Sequence, residues 1–205
     1  MKKIITSIIT VLLIQTIGFC TPEPAIIQKP GLWTTHVAYE PLRLIRYQDK
    51  HYWYMIMTVT NHSGGDIEVH PQCDLVTDQL HLILEGKHVP NDVVQYLLQL
   101  HQRRYPLLEH LRMSGYRMFN GEDHAKDILL VWPDVCPMAN QIRLYLTGLS
   151  NEVHAIDHPF AMDEKGQPEK ILVRKCLELT YNLTGAANQR NNANIHFKEQ
   201  HWVMR

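Results

Sequence analysis

The chain has 205 residues, with 20 Lys and Arg, 21 Asp and Glu, 13 His and a formal net charge of −1. Hydrophobic residues make up 45% and charged residues 20%. That composition is ordinary for one globular domain, and it excludes a disordered chain, a collagen-like repeat and a disulfide-dense miniprotein. The near-cancellation of charge argues against a nucleic-acid partner held by overall charge.

Residues 1–20 read as a secretory leader. Lys2 and Lys3 give a positive start, and Ile4 to Ile17 form a mostly apolar run. Gly18 and Cys20 are the small residues before a cut ahead of Thr21. The run is short for a membrane span, which needs about 20 apolar residues. An uncleaved anchor and a lipid on Cys20 are the two other readings. Phe19, directly before the cysteine, fits a lipoprotein box poorly. Residues 21–32, with Pro22, Pro24, Pro30 and Gly31, read as a short tether. The expected location is therefore extracytoplasmic, with membrane contact only through the leader or a lipid on Cys20.

A single domain is expected over residues 33–205. Thr34 to Tyr47 reads as one strand or two, split at Pro41. His51 to Asn61 is the clearest strand, rich in aromatic and β-branched residues. Its Trp53, Met55, Met57 and Val59 form a purely apolar face and should point inward. Tyr52, Tyr54, Ile56, Thr58 and Thr60 form the other face. Asn61 to Asp66 has turn composition, and a strand from Ile67 to about Val76 should complete a hairpin, interrupted at Pro71. Residues 90–101 change period, within a helical insertion near 90–111. Val93, Val94, Leu97 and Leu98 form a helical stripe, with Asn91 or Asp92 as cap. Further strands are expected at 128–132, 141–148, 170–182 and 194–204, the last two pairing with each other. The sum is a mainly β protein: an antiparallel, immunoglobulin-like β-sandwich of about seven strands, with one inserted helix covering an open end or edge.

The run Tyr52-Trp53-Tyr54, then Thr58-Val59-Thr60-Asn61 and the turn His62-Ser63-Gly64-Gly65-Asp66, resembles secreted bacterial immunoglobulin-like domains. More narrowly, the chain resembles secreted immunoglobulin-like proteins of unassigned function from planctomycete-type bacteria. The similar stretches are residues 52–78, 121–127, 132–134, 148–150, 174–181 and 199–205. The resemblance implies an envelope-located β-sandwich and brings no catalytic residue with it.

Chemistry-bearing patterns are sparse. There is no Gly-x-Ser-x-Gly elbow, no Ser-x-x-Lys pair and no glycine-rich phosphate loop. Cys73, Cys136 and Cys176 follow the leader. Three is odd, so at most one intramolecular disulfide forms, and without a CxxC pair a redox or zinc motif has little support. Glu122, Asp123 and Asp127 cluster around Lys126, as an acidic site or a solvated loop. Histidine is the only enriched chemistry. His154 and His158, with Asp157 between them, are the best local metal set, for zinc or copper, if they share a helix face; Pro159 argues against that helix. His70 with Cys73, His81 with His88, and His101 with His110 are weaker pairs. The leading expectation is a non-enzymatic envelope protein, without cofactor or catalytic residue. It would bind or support another envelope protein or a surface polymer through edge-strand pairing or its helix-bearing end. The alternatives are a histidine-based metal-binding protein and a hydrolase with a loop-built site around Glu122 and Asp123.

Overall fold

The computed structural model of the protein describes residues 22–25, 30–134, 136–186 and 189–205. The leader read over 1–20, Cys20 included, lies outside the described residues.

The elements are β1 (His36–Tyr39), β2 (Arg43–Tyr47), β3 (Lys50–Asn61), β4 (Ile67–Glu68), β5 (Gln72–Thr77), β6 (Leu82–Leu84), α1 (Asn91–His101), β7 (Glu109–His110), β8 (Arg117–Met118), β9 (Gly121–Pro133), β10 (Gln141–Thr147), β11 (Val153–Met162), β12 (Pro168–Leu183) and β13 (Ile195–Met204). The protein is mainly β. One sheet runs β1-β3-β9-β7, with β2 also on β3; a second runs β11-β12-β10-β5-β6, with β13 also on β12; β4 and β8 form a small third pair. Among the described residues every strand pairing is antiparallel except that of β7 with β9.

The two large sheets share one core. Trp53, Met55, Met57, Val59, Leu130 and Trp132 from the first meet Leu75, Leu144, Leu177 and Leu179 from the second, all buried. Each such large side chain contributes about 1.5–3 kcal/mol on leaving water. The apolar face read on β3 is thus the inward one. Its other face is not exposed. Tyr52, Tyr54 and Ile56, with Leu129 and Val131 of β9, are buried beneath Val93, Val94 and Leu97 of α1. The helix therefore lies flat on the outer face of the first sheet rather than over an open end. Its stripe is the one the sequence shows. Its cap is not: Pro90 stands at the N-cap and makes no side-chain cap bond, while Asp92 accepts from Val93 N.

The strand split at Pro41 is present, and β1 and β2 lie end to end along one edge of β3. The hairpin expected between β3 and residues 67–76 is absent. Ile67 and Glu68 pair with β8, and after Pro71 the chain enters the second sheet, where β5 pairs with β10. Proline removes a ladder donor, so the crossover falls where continued pairing would have failed. Gly148 makes that crossover fit. At φ +74° it passes so close to His70 that a Cβ would stand 2.0 Å from the His70 carbonyl oxygen.

Strand content exceeds the seven expected. The acidic stretch at Glu122–Asp127 belongs to β9 rather than a loop, and residues 153–162, not expected to be extended, form β11. β12 and β13 pair as expected. Part of the segment expected to be a tether is anchored: Ala25 N donates to Glu152 Oε1 at 2.7 Å, and Asn151 Nδ2 donates to Gly31 O at 2.9 Å. Cys73, Cys136 and Cys176 are all buried free thiols, so no disulfide joins them.

Candidate functional site

β10 and β11 form one long run against β12, broken at Gly148–Glu152. The β10 half is flanked by β5, and the facing half of β12 by β13. Beyond Arg174, whose backbone pairs with that of Arg205, the hairpin continues with two strands only. Val153–Met162 and Pro168–Arg174 are thus a two-stranded ribbon. Ten residues at about 3.3 Å each give β11 a reach of about 30 Å. Asp163 closes the turn: its side chain accepts from Lys165 N and Gln167 N, its own N–H donates to Gln167 O, and Gly166 takes φ +75°.

No residue of β11 is buried. Phe160 is 84% exposed, Leu172 61% and Met162 58%. The ladder slips between Asp157 and Met162, where His158 Nδ1 accepts from both Phe160 N and Ala161 N. This bulge, with Pro159 inside it, blunts the outer end of the edge. Val153–Asp157 keeps regular strand pairing with β12 and, among the described residues, carries no strand on its other side.

The three residues expected to hold a metal lie on this ribbon and are not brought together. The stretch is a strand, so the helical i, i+4 geometry does not arise. His154 Nε2 is 3.2 Å from Glu152 Oε1, Asp157 is paired with Lys170, and His158 is committed to the bulge. No group of three or more His, Cys, Asp or Glu positioned for a metal occurs among the described residues. The acidic cluster is also dispersed. Glu122 and Asp123 are consecutive on a strand and so point to opposite sides. Glu122 Oε1 is 4.0 Å from His62 Nε2, Asp127 accepts from Thr58 Oγ1 at 2.6 Å, and Lys126 Nζ donates to Gly115 O. The His70 ring packs at a tilt against Tyr116, and the buried Cys73 thiol is pushed well up, first by burial and then by Glu85. The aromatic face of Tyr52 and Tyr54 is core, and of the arginines near the helix, Arg104 pairs with Glu40 and Arg117 with Asp66.

Three arrangements were not foreseen from the sequence. Cys136 Sγ lies 3.0 Å from His81 Nδ1. Burial pushes this thiol above its ordinary value, so the pair holds a thiol and not an activated thiolate. Beneath the C-terminal end of α1, a cavity of about 150 Å³ is lined by Glu40, Arg43, Tyr54, His101, Arg104 and Tyr105. Its polar groups already answer one another: Tyr105 OH and Arg104 Nη2 both reach Glu40 Oε1 at 2.7 Å, and His101 Nε2 meets Tyr54 OH at 3.3 Å. Finally, Glu152 is buried with Lys175 at the root of the ribbon, Nζ to Oε2 at 3.0 Å. Burial works to raise the Glu152 carboxyl, but hydrogen bonds from Ala25, Lys175 and His154 outweigh it and hold the group below its usual range. Long sequence separations explain why none of these was legible: residue 25 with 152, 81 with 136, 40 with 105.

No family model matches the chain, and no curated protein or solved structure matches it.

Proposed function

We propose that this is a non-enzymatic, extracytoplasmic protein of immunoglobulin-like kind that binds or supports another envelope protein, with the Val153–Arg174 ribbon as its docking element. The observation that carries the reading is the ribbon itself: two strands with open edges that present Phe160, Met162 and Leu172 to solvent. An isolated two-stranded ribbon is marginal in water, and exposed apolar side chains on such an edge are a template for another chain. Adding an extended segment to β11 would satisfy its free backbone groups and cover its apolar residues together. The immunoglobulin-like assignment is supported by the antiparallel sheets facing across Trp53 and Trp132. The envelope location is supported by the leader pattern of Lys2, Lys3 and Ile4–Ile17.

Photo-cross-linking in the intact envelope tests this. A photoreactive residue at Phe160 or Leu172 should give a discrete adduct. The same probe at Leu107, equally exposed but remote in sequence from the ribbon, should give none. Adducts from Leu107 alone, or from no position, would overturn the reading.

A further inference from the structure

A cleft of about 400 Å³ opens where β5 and the end of β6 meet the segment that follows β7. His70, Gln72, Asp74, Leu84, Arg112 and Tyr116 are among the residues that line it. The volume lies within the range of small-molecule sites. None of these residues belongs to the ribbon.

Arg112 is a cation that no acid answers. Its Nη2 donates to the Glu85 backbone carbonyl at 3.3 Å, and it makes no ion pair among the described residues. The Glu85 carboxylate is committed elsewhere, to Val131 N at 3.1 Å. Gly86 seats the guanidinium. At φ +63° and with its N–H donated to Val131 O, it is fixed in place, and a Cβ there would stand 2.8 Å from Arg112 Nε and 3.0 Å from Cζ. The bare glycine thus lets the guanidinium lie against the backbone with no anion to hold it. Its planar fork matches a carboxylate with two parallel hydrogen bonds.

The β5 side of the cleft offers the opposite charge. Gln72 and Asp74 are alternate residues of one strand and share a face, while Cys73 and Leu75 between and beyond them point into the core. Asp74 is half-buried and, among the described residues, accepts no hydrogen bond and makes no ion pair. Burial pushes its carboxyl up, with Arg205 opposing. A half-buried acceptor without a donor costs free energy that a ligand hydroxyl would relieve. Tyr116 adds a flat surface: its ring lies 4.5 Å from that of His70 at a tilt of 42°, yet the residue is 62% exposed.

We infer that this cleft binds an acidic saccharide. The carboxylate of a sugar acid pairs with Arg112, its hydroxyls donate to Asp74 and exchange hydrogen bonds with the Gln72 amide, and its ring lies against Tyr116. Other small ligands answer only part of this set. An inorganic anion uses Arg112 alone. A free amino acid answers the two charges but brings neither hydroxyls for Gln72 nor a ring face for Tyr116. The inference goes beyond the ribbon and does not depend on its docking role.

Isothermal titration calorimetry tests the inference, with D-glucuronate, N-acetylneuraminate and N-acetylmuramate as probes and D-glucose and L-glutamate for comparison. At least one sugar acid should bind with one-to-one stoichiometry. Glucose should bind at least about tenfold more weakly, and glutamate should not bind. Arg112→Ala should weaken the sugar acid by about tenfold or more. Arg112 is exposed, so the variant should keep the wild-type circular dichroism and melting behaviour. Gly86→Ala keeps the arginine but unseats it, and should weaken binding in the same way. If backbone strain stops that variant from folding, Tyr116→Ala, at an exposed position, takes its place and should also weaken the sugar acid. Arg46→Ala, at an exposed arginine paired with Asp49, should change nothing. No binding of any of the three sugar acids in the millimolar range would overturn the inference. So would binding that Arg112→Ala leaves unchanged, or glutamate binding as tightly as the sugar acids.

Discussion

Glu152 and Lys175 meet at 3.0 Å with side-chain exposures of 3% and 11%, at the point where β10 passes into β11 and the N-terminal segment is tied down through Ala25. Their position makes them the fastening of the ribbon to the body. Removing one partner of a buried ion pair leaves an uncompensated charge and costs about 3–5 kcal/mol. Lys175→Ala should sit near the lower bound of that range, since Ala25 N and His154 still serve Glu152. Urea denaturation measures the loss.

The same carboxylate sets an acid limit. Its folded-state pKa is below its unfolded value, so its contribution is fully present above the unfolded pKa of about 4.3. It is lost as pH falls from there through the lower folded value. Wild-type stability should therefore drop below about pH 4. Glu152→Gln should be less stable at neutral pH but should lose less of what remains on acidification. Parallel denaturation curves at neutral and acid pH compare the two.

A second buried carboxylate anchors the layer beneath the helix. Glu85 Oε1 accepts from Val131 N at 3.1 Å and lies 2.9 Å from His110 Nε2, a buried atom with no hydrogen bond of good geometry. Glu85→Ala should strand the Val131 N–H and cost about 1–3 kcal/mol before any cavity term. Glu85→Gln keeps an acceptor for it and should lose less. Amide exchange at Val131 distinguishes the two: faster in the alanine variant, near wild type in the glutamine variant.

Two glycines separate close approach from backbone strain. Gly148 and Gly166 share a left-handed φ, +74° and +75°, but a Cβ at Gly148 meets the His70 carbonyl and one at Gly166 meets nothing within 4 Å. Gly166→Ala should cost about 1–2 kcal/mol, the left-handed penalty alone. Gly148→Ala must also push apart the crossover into the second sheet and should cost several-fold more or abolish folding. Thermal unfolding of both variants gives the comparison.

Burial pushes the Cys176 thiol up to about 12 from an ordinary 9.0. The folded protein keeps it protonated where the unfolded chain ionises it. Stability should therefore decline as pH rises from about 9 toward 12, and Cys176→Ala should flatten that decline. Cys73, Cys136 and Cys176 should all resist a thiol reagent in the native protein and react once it is unfolded, since none is in a disulfide. Rapid labelling of Cys176 in the native protein would contradict its placement.

What the sequence makes legible is what a local period can carry. The alternation of β3 marks Trp53, Met55, Met57 and Val59 as inward, and the spacing of Val93, Val94 and Leu97 marks the buried stripe of α1. The second burial of β3 could not be read there, because whether Tyr52 and Tyr54 face water depends on a helix some forty residues away. The crossover after Pro71 reads as a hairpin in sequence because turn composition shows where a chain bends, not which sheet it joins next. β11 is illegible in the sequence for a related reason. A strand with neither face fully buried has little apolar–polar contrast, and Val153-His154-Ala155-Ile156-Asp157-His158-Pro159 shows none. The metal reading of His154, Asp157 and His158 borrowed a helix from a segment that forms a bulged strand. The candidate docking element was therefore the least legible part of the chain.

Amide hydrogen exchange on Val153–Asp157 is the most direct measurement of the central claim, made once on dilute protein and once in the intact envelope. In dilute protein, the amides directed away from β12 should exchange near the rate of an open edge, far faster than those of the buried β12 residues Cys176–Leu179. In the envelope they should slow by at least about 100-fold, the protection given by about 2.7 kcal/mol of docking. Equal exchange in the two settings would contradict a docking role for the ribbon.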